Sequence, residues 1–153
     1  MRTQGWPVRR LMTREELRAA QSAGIAVGCH SATHPRLTDL SDTELQHEVA
    51  SARIQLADIL GEEVRYFAYP YGAHGKREQE AVIKAGYEAA CSTRCGYNNV
   101  QSDLFSLRRI DVYGTDTLRQ FRLKLEFGAN RVSRLDIARY YATRLGHRIS
   151  GFS

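Results

Sequence analysis

Two histidines stand four residues apart in the segment His30-Ser-Ala-Thr-His34, and Pro35 follows at once. Imidazoles at that spacing can meet one metal ion if the residues between them make a helical turn. Pro35 stops the turn from continuing. The same spacing also arises from two ordinary loop histidines, so its place in the fold must decide. A second segment, Phe67-Ala-Tyr-Pro-Tyr-Gly72, fixes a tight turn through Pro70 and Gly72. Such a turn can aim a backbone N–H into a pocket; alone, it is simply an aromatic turn.

Other reactive side chains form no comparable pattern. Cys29, Cys91 and Cys95 are an odd number of thiols without the paired CxxC spacing of structural zinc sites. Cys91 reads as a small buried residue, and Cys29 is expected to point away from His30 along a strand. His47 falls off the apolar stripe of its helix and reads as solvated. His74 lines the same cleft as the turn or sits on a surface loop. Asp111 is expected to pair with Arg108 or Arg109. One of Tyr140 and Tyr141 is expected to pack on the final helix.

The elements that must hold these residues follow from spacing. Thr13-Arg-Glu-Glu16 is a capping box that opens a helix ending near Gly24. Ile25–Cys29 is short and apolar, which predicts a buried strand. Ser41-Asp-Thr-Glu44 is a second capping box. Leu45, Val49, Ala52, Leu56 and Ile59 then recur at helical spacing up to Gly61. Val64–Ala68 and Tyr87–Ser92 read as strands around a helix over 76–85. Residues 94–106 read as a loop, Ile110–Tyr113 as a strand, and 115–127 and 133–145 as helices. Ser133 and Asp136 suit the start of the last one. This alternation predicts parallel βα units, with chemistry on the loops that leave the C-terminal ends of the strands. Both singled-out segments lie on such loops.

With 153 residues, 42% of them apolar, one globular domain spanning 1–153 is expected. No apolar run reaches the roughly 18 residues that span a bilayer. The N-terminus lacks the apolar core of an export signal, which as written predicts a cytoplasmic chain. Residues 1–106 carry 12 basic and 13 acidic groups, and 107–153 carry 10 and 4, so the net charge of +5 resides in a basic helical tail. Its arginines are scattered, without a basic block or a recognition motif, so nucleic acid is not an expected partner.

Taken together, the two loop segments resemble a known family. Residues 23–37, with His30-Ser-Ala-Thr-His34, look like the second motif of the polysaccharide deacetylases, the NodB-homology carbohydrate esterases. Tyr66-Phe-Ala-Tyr-Pro-Tyr-Gly72 resembles their third motif, and Arg109-Ile-Asp-Val112 with the Thr-Asp-x-Leu helix start at 115–118 resembles the end of one bacterial branch. The resemblance covers about residues 12–127. It implies a distorted (β/α) barrel and removal of N- or O-acetyl groups from acetylated polysaccharide or oligosaccharide. It further implies a divalent metal, commonly zinc, with His30 and His34 as ligands. Ser31 would support the loop, Tyr69, Pro70 and Tyr71 would bind substrate, and the Tyr71 N–H would face the oxyanion. The family usually acts outside the cytoplasm, so location stays open.

The sequence also departs from the family pattern. The first motif, an Asp-Asp pair that supplies a general base and a third ligand, has no counterpart: no Asp precedes Asp39. Ala68 stands where many members have an arginine, and Arg65 is three residues away. Leu145-Gly-His147 is one residue off the late Leu-His motif. These departures predict a partial barrel lacking its first strand or strands, weak metal binding and impaired catalysis. They also predict self-association, or a partner chain that supplies the missing strands. The alternative is a non-catalytic remnant that binds carbohydrate or a partner chain.

Overall fold

The computed structural model describes residues 10–133, 135 and 137–139. Helix α1 (Arg14–Ser22) begins at the expected capping box, with Thr13 accepting from the Glu16 N–H and Glu16 reaching back. The second capping box, Ser41 with Glu44, opens α2 (Asp42–Gln46). A π turn (His47–Ser51) and α3 (Ala52–Leu60) continue it as one rod, ended by Gly61 in the left-handed region. Strand β1 (Tyr66–Ala68), helix α4 (Lys76–Lys84), strand β2 (Ala89–Cys91) and helix α5 (Leu118–Phe127) complete the order.

The sheet is parallel throughout. β1 pairs with β2 with Phe67 opposite Ala90. Single-residue parallel pairings add Cys29 beside Phe67 and Leu107 beside Cys91. Four segments therefore lie side by side in chain order, as in part of a βα barrel. The core is the layer between this sheet and the helices. Leu37, Val49, Val64, Phe67, Tyr69 and Val82 are fully enclosed there. The Phe67 ring lies 5.1 Å from that of Tyr87, whose hydroxyl donates to the Val49 carbonyl at 3.1 Å.

Several sequence expectations change. Of Ile25–Cys29 only Cys29 pairs and is buried, while Ile25 is 59% exposed. Among the described residues nothing pairs on the far side of Cys29, so no neighbour holds the rest of the run extended. Ile110–Tyr113 forms no strand. Side chains hold it instead: Asn130 Oδ1 accepts from the Asp111 N–H, and Lys124 Nζ donates to the Asp111 carbonyl. The Asp111 carboxylate accepts from Asn130, not from the adjacent arginines. Arg108 turns to the Cys95 carbonyl and Arg109 to that of Ser92. The helix expected at 115–127 begins at Leu118, because Thr117 and Gln120 form the capping box. Most of the helix expected at 133–145, with Tyr140, Tyr141 and His147, lies outside the described residues, as does Trp6.

Candidate metal centre and carbonyl-binding turn

Cys29 is the last residue of the sheet's first segment, so the chain leaves its C-terminal end at His30. β1 ends at Ala68, one residue from Tyr69. The two loops are thus delivered side by side by adjacent parallel segments. The His30 Nδ1 lies 2.6 Å from the Ala68 carbonyl. A carbonyl only accepts, so Nδ1 carries a proton, and it is Nε2 whose lone pair the neutral ring leaves for a ligand. A carbonyl that holds one ring N–H of a histidine in this way orients the ring and sets its tautomer. The His34 ring stands edge-on to His30, with centroids 4.7 Å apart, and edge-on to Tyr71 at 4.8 Å. The Arg36 guanidinium lies over the Tyr71 ring, 5.4 Å from its centroid.

Unusual backbone conformations converge here. Ser31, His34 and Tyr71 have φ of 64°, 62° and 58°, and they are the non-glycine residues of positive φ among those described. For an L-residue this region costs roughly 1–2 kcal/mol, and such strain gathers at functional sites. Local bonds hold it. Ser31 Oγ accepts from the His34 N–H at 2.9 Å. In the other turn Gly72 N–H donates to the Tyr69 carbonyl and Ala73 N–H to that of Pro70; the Tyr71 N–H takes no part in either bond.

The aromatic turn divides into support and surface. Tyr69 and Pro70 are fully buried, whereas Tyr71 is 59% exposed. The Tyr69 hydroxyl donates to the Phe105 carbonyl at 3.0 Å, and burial pushes its pKa up. The Tyr69 and Pro70 side chains thus lie beneath the turn, and Tyr71 is the member of the three at the surface. His74 stacks flat on Tyr69, centroids 4.1 Å apart. It donates from Nδ1 to the Gly72 carbonyl and accepts at Nε2 from Ser106 Oγ, each at 3.0 Å. Arg65 is engaged elsewhere, in a two-bond contact with Glu88 at 2.6 Å.

Glu48 was not singled out by the sequence pattern, yet it touches the histidine loop directly. Its Oε2 accepts from the N–H groups of Ala32 and Thr33, each at 2.9 Å, and its Oε1 from the Thr33 hydroxyl at 2.7 Å. Burial alone would raise its carboxyl, but the hydrogen bonds from Thr33 and Ala32 outweigh burial and hold it below the usual range. The available signal was an acid three residues after Leu45 and next to Val49, on the buried side of the helix.

The residues present fit a metal in part. Two imidazoles in ring contact, one with its tautomer set, are a suitable nitrogen pair for a zinc-type ion. Among the described residues no group of three or more His, Cys, Asp or Glu side chains assembles. The cysteines do not add to it: Cys29 is buried, burial pushes its thiol up, and Cys95 donates to the Gly128 carbonyl at 3.3 Å.

Both loops, their order and the parallel sheet beneath them are those of the carbohydrate deacetylases. The polysaccharide deacetylase family model matches residues 3–90, and the chain belongs to that family. A chitooligosaccharide deacetylase of Azorhizobium caulinodans is 37% identical over 70 residues, 45% of this chain and 33% of the relative. A polysaccharide deacetylase of Bacillus cereus superposes with a TM-score of 0.70 at 24% identity, over 77% of this chain and 38% of the other. The Streptococcus pyogenes deacetylase PplD, solved with acetate, gives 0.65 at 21% identity, over 68% and 46%. These likenesses show the fold, a partial (β/α) barrel. The chain spans about a third of the length of the curated relatives it matches.

Proposed function

We propose that this chain carries part of the active site of a metal-dependent deacetylase acting on N- or O-acetyl groups of a carbohydrate polymer or oligomer. The observation that carries the reading is the pair of imidazoles 4.7 Å apart, with His30 held as the Nδ1–H tautomer, directly beside the strained turn at Tyr71. His30 and His34 would hold a divalent cation of zinc type. When bound, such an ion polarises the acetyl carbonyl and activates a water. The Tyr71 N–H would donate to the oxygen that gains charge, and the exposed Tyr71 ring would offer a sugar-binding face. Ala68 contributes its carbonyl, which fixes the His30 tautomer.

A second reading, a chain that binds carbohydrate or a partner without turning substrate over, is favoured by one observation: no carboxylate joins the two histidines among the described residues. Loss of a general base typically forfeits about 10²–10⁴-fold in rate. A strand from another polypeptide, pairing on the side of Cys29 where no neighbour lies among the described residues, would be placed to bring acids to the two histidines. No helix among the described residues is long and apolar enough to cross a membrane.

The test is direct. The purified chain should bind Zn²⁺ or Co²⁺ weakly, and H30A and H34A should each abolish binding. Acetate release from acetylated chitooligosaccharide and acetylated xylan should be near background. Metal binding unchanged in both variants would overturn the site, and robust metal-dependent acetate release would overturn the expected impairment.

A further inference from the structure

We infer that Glu48 is the positioning residue of the histidine loop, setting the geometry in which His30 and His34 face one ion. The inference rests on the reading of these histidines as a metal pair. Ala32 and Thr33, whose N–H groups Glu48 holds, lie between the two left-handed residues Ser31 and His34. Three hydrogen bonds from two consecutive residues thus clamp the middle of the segment whose ends carry the strain.

Nothing else explains an acid at this position. Glu48 is 7% exposed and sits on the buried face of the rod, between Leu45 and Val49. No cation pairs with it among the described residues; its charge is met by the loop's N–H and O–H groups alone. A buried carboxylate without a cationic partner is a poor choice for stability, and an apolar residue would serve the helix better. The helix also departs from regular α geometry here. Glu48 lies in the π turn His47–Ser51, and such turns recur where a side chain must be re-aimed at a functional site.

The bonding pattern makes a sharp distinction between geometry and charge. Oε2 takes both N–H groups, and Oε1 takes only the Thr33 hydroxyl. In E48Q the amide oxygen can replace Oε2, while the amide NH₂ donates to the same hydroxyl, which accepts as readily as it donates. Glutamine should therefore rescue a geometric role and fail to rescue a role of charge.

The experiment uses the full chain with E48A, E48Q and T33V, each first shown to be folded by near-ultraviolet circular dichroism. In metal-free protein, nuclear Overhauser contacts between the His30 and His34 rings, and from His34 to Tyr71, should vanish in E48A and persist in E48Q. Zn²⁺ affinity, by competition with a chromophoric chelator, should fall about 10–100-fold in E48A, the size of loss seen when a group that orients metal ligands is removed. It should stay within about threefold of the parent in E48Q. T33V alters an exposed side chain and removes one of the three bonds, so it should weaken affinity measurably but less. Ring contacts and affinity unchanged in E48A would overturn the inference, as would E48Q behaving like E48A. Should E48A not fold, T33V decides: unchanged contacts and affinity overturn the inference, and weakened ones support it. Should the parent bind no Zn²⁺, the metal reading fails, while the metal-free ring contacts still decide the role of Glu48.

Discussion

Gly72 offers the most quantitative check on how the site is built. A Cβ added there would lie 2.5 Å from the Thr93 backbone nitrogen and 2.8 Å from the Thr93 Cβ, with φ at +68°. Gly61 has nearly the same φ, +73°, and nothing within 4 Å of the added atom. G61A therefore bears only the left-handed penalty of roughly 1–2 kcal/mol, lessened by the usual gain from a stiffer unfolded chain. G72A bears the same balance plus the collision, and overpacking of this kind typically adds about 1–3 kcal/mol. Thr93 cannot yield by changing rotamer, because the closest unavoidable partner is main chain next to β2. The predicted difference between the two variants is thus about 1–3 kcal/mol, or roughly 2–12 °C in Tm for a chain of this size. Urea unfolding of both, at unchanged m-value, measures it. A difference below about 0.5 kcal/mol would show that the turn and Thr93 can separate freely, and the account of a rigid Tyr71 turn would fail.

Further predictions concern neighbouring supports. Y87F removes the hydroxyl that donates to the buried Val49 carbonyl, and should destabilise by about 1–3 kcal/mol in the same assay. H74F keeps a ring on Tyr69 but loses the bonds to Gly72 and Ser106; amide exchange at Gly72 and Ala73 should accelerate while β1 and β2 stay protected. The Lys124 ammonium, and then the Tyr113 N–H, hold the Asp116 carboxyl below its ordinary value. That contribution to stability should be complete above about pH 4 and vanish as pH falls through the lowered value. K124M should move the Asp116 titration upward in carboxyl NMR, and an unmoved titration would remove Lys124 as the cause.

The sequence made some layers of this structure readable and hid others for physical reasons. Capping boxes at Thr13 and Ser41 and the stop at Gly61 are local signals, and the helix starts followed them. The segments of His30, His34 and Tyr71 stand out because they leave consecutive apolar runs of an alternating chain, whereas the choice of Tyr71 within its turn rests on the resemblance to the family's third motif. The strand expected at Ile25–Cys29 is reduced to Cys29 because an apolar run shows hydrophobicity and not whether a neighbour pairs with it. Ile110–Tyr113 was misread because Lys124 and Asn130, 13 and 19 residues away from Asp111, satisfy its backbone. Glu48 was passed over because an acid on an apolar stripe looks like an interruption until its partners are seen across 15 and 16 residues.

The left-handed trio Ser31, His34 and Tyr71 has an evolutionary corollary. Glycine relieves that conformation at any of the three, but it also removes the Ser31 Oγ acceptor or the ring contacts of His34 and Tyr71 and frees the unfolded chain, so substitution there should change stability little and weaken chiefly what the loops hold. In a lineage relieved of selection on the site, these positions should be among the first to drift toward glycine or asparagine, well ahead of the enclosed core. Homologues that keep bulky residues in left-handed geometry can thus be separated from those that keep only the scaffold, and S31G and Y71G, stable but poorer at holding an ion or a sugar, would reproduce the first step of such decay at the bench.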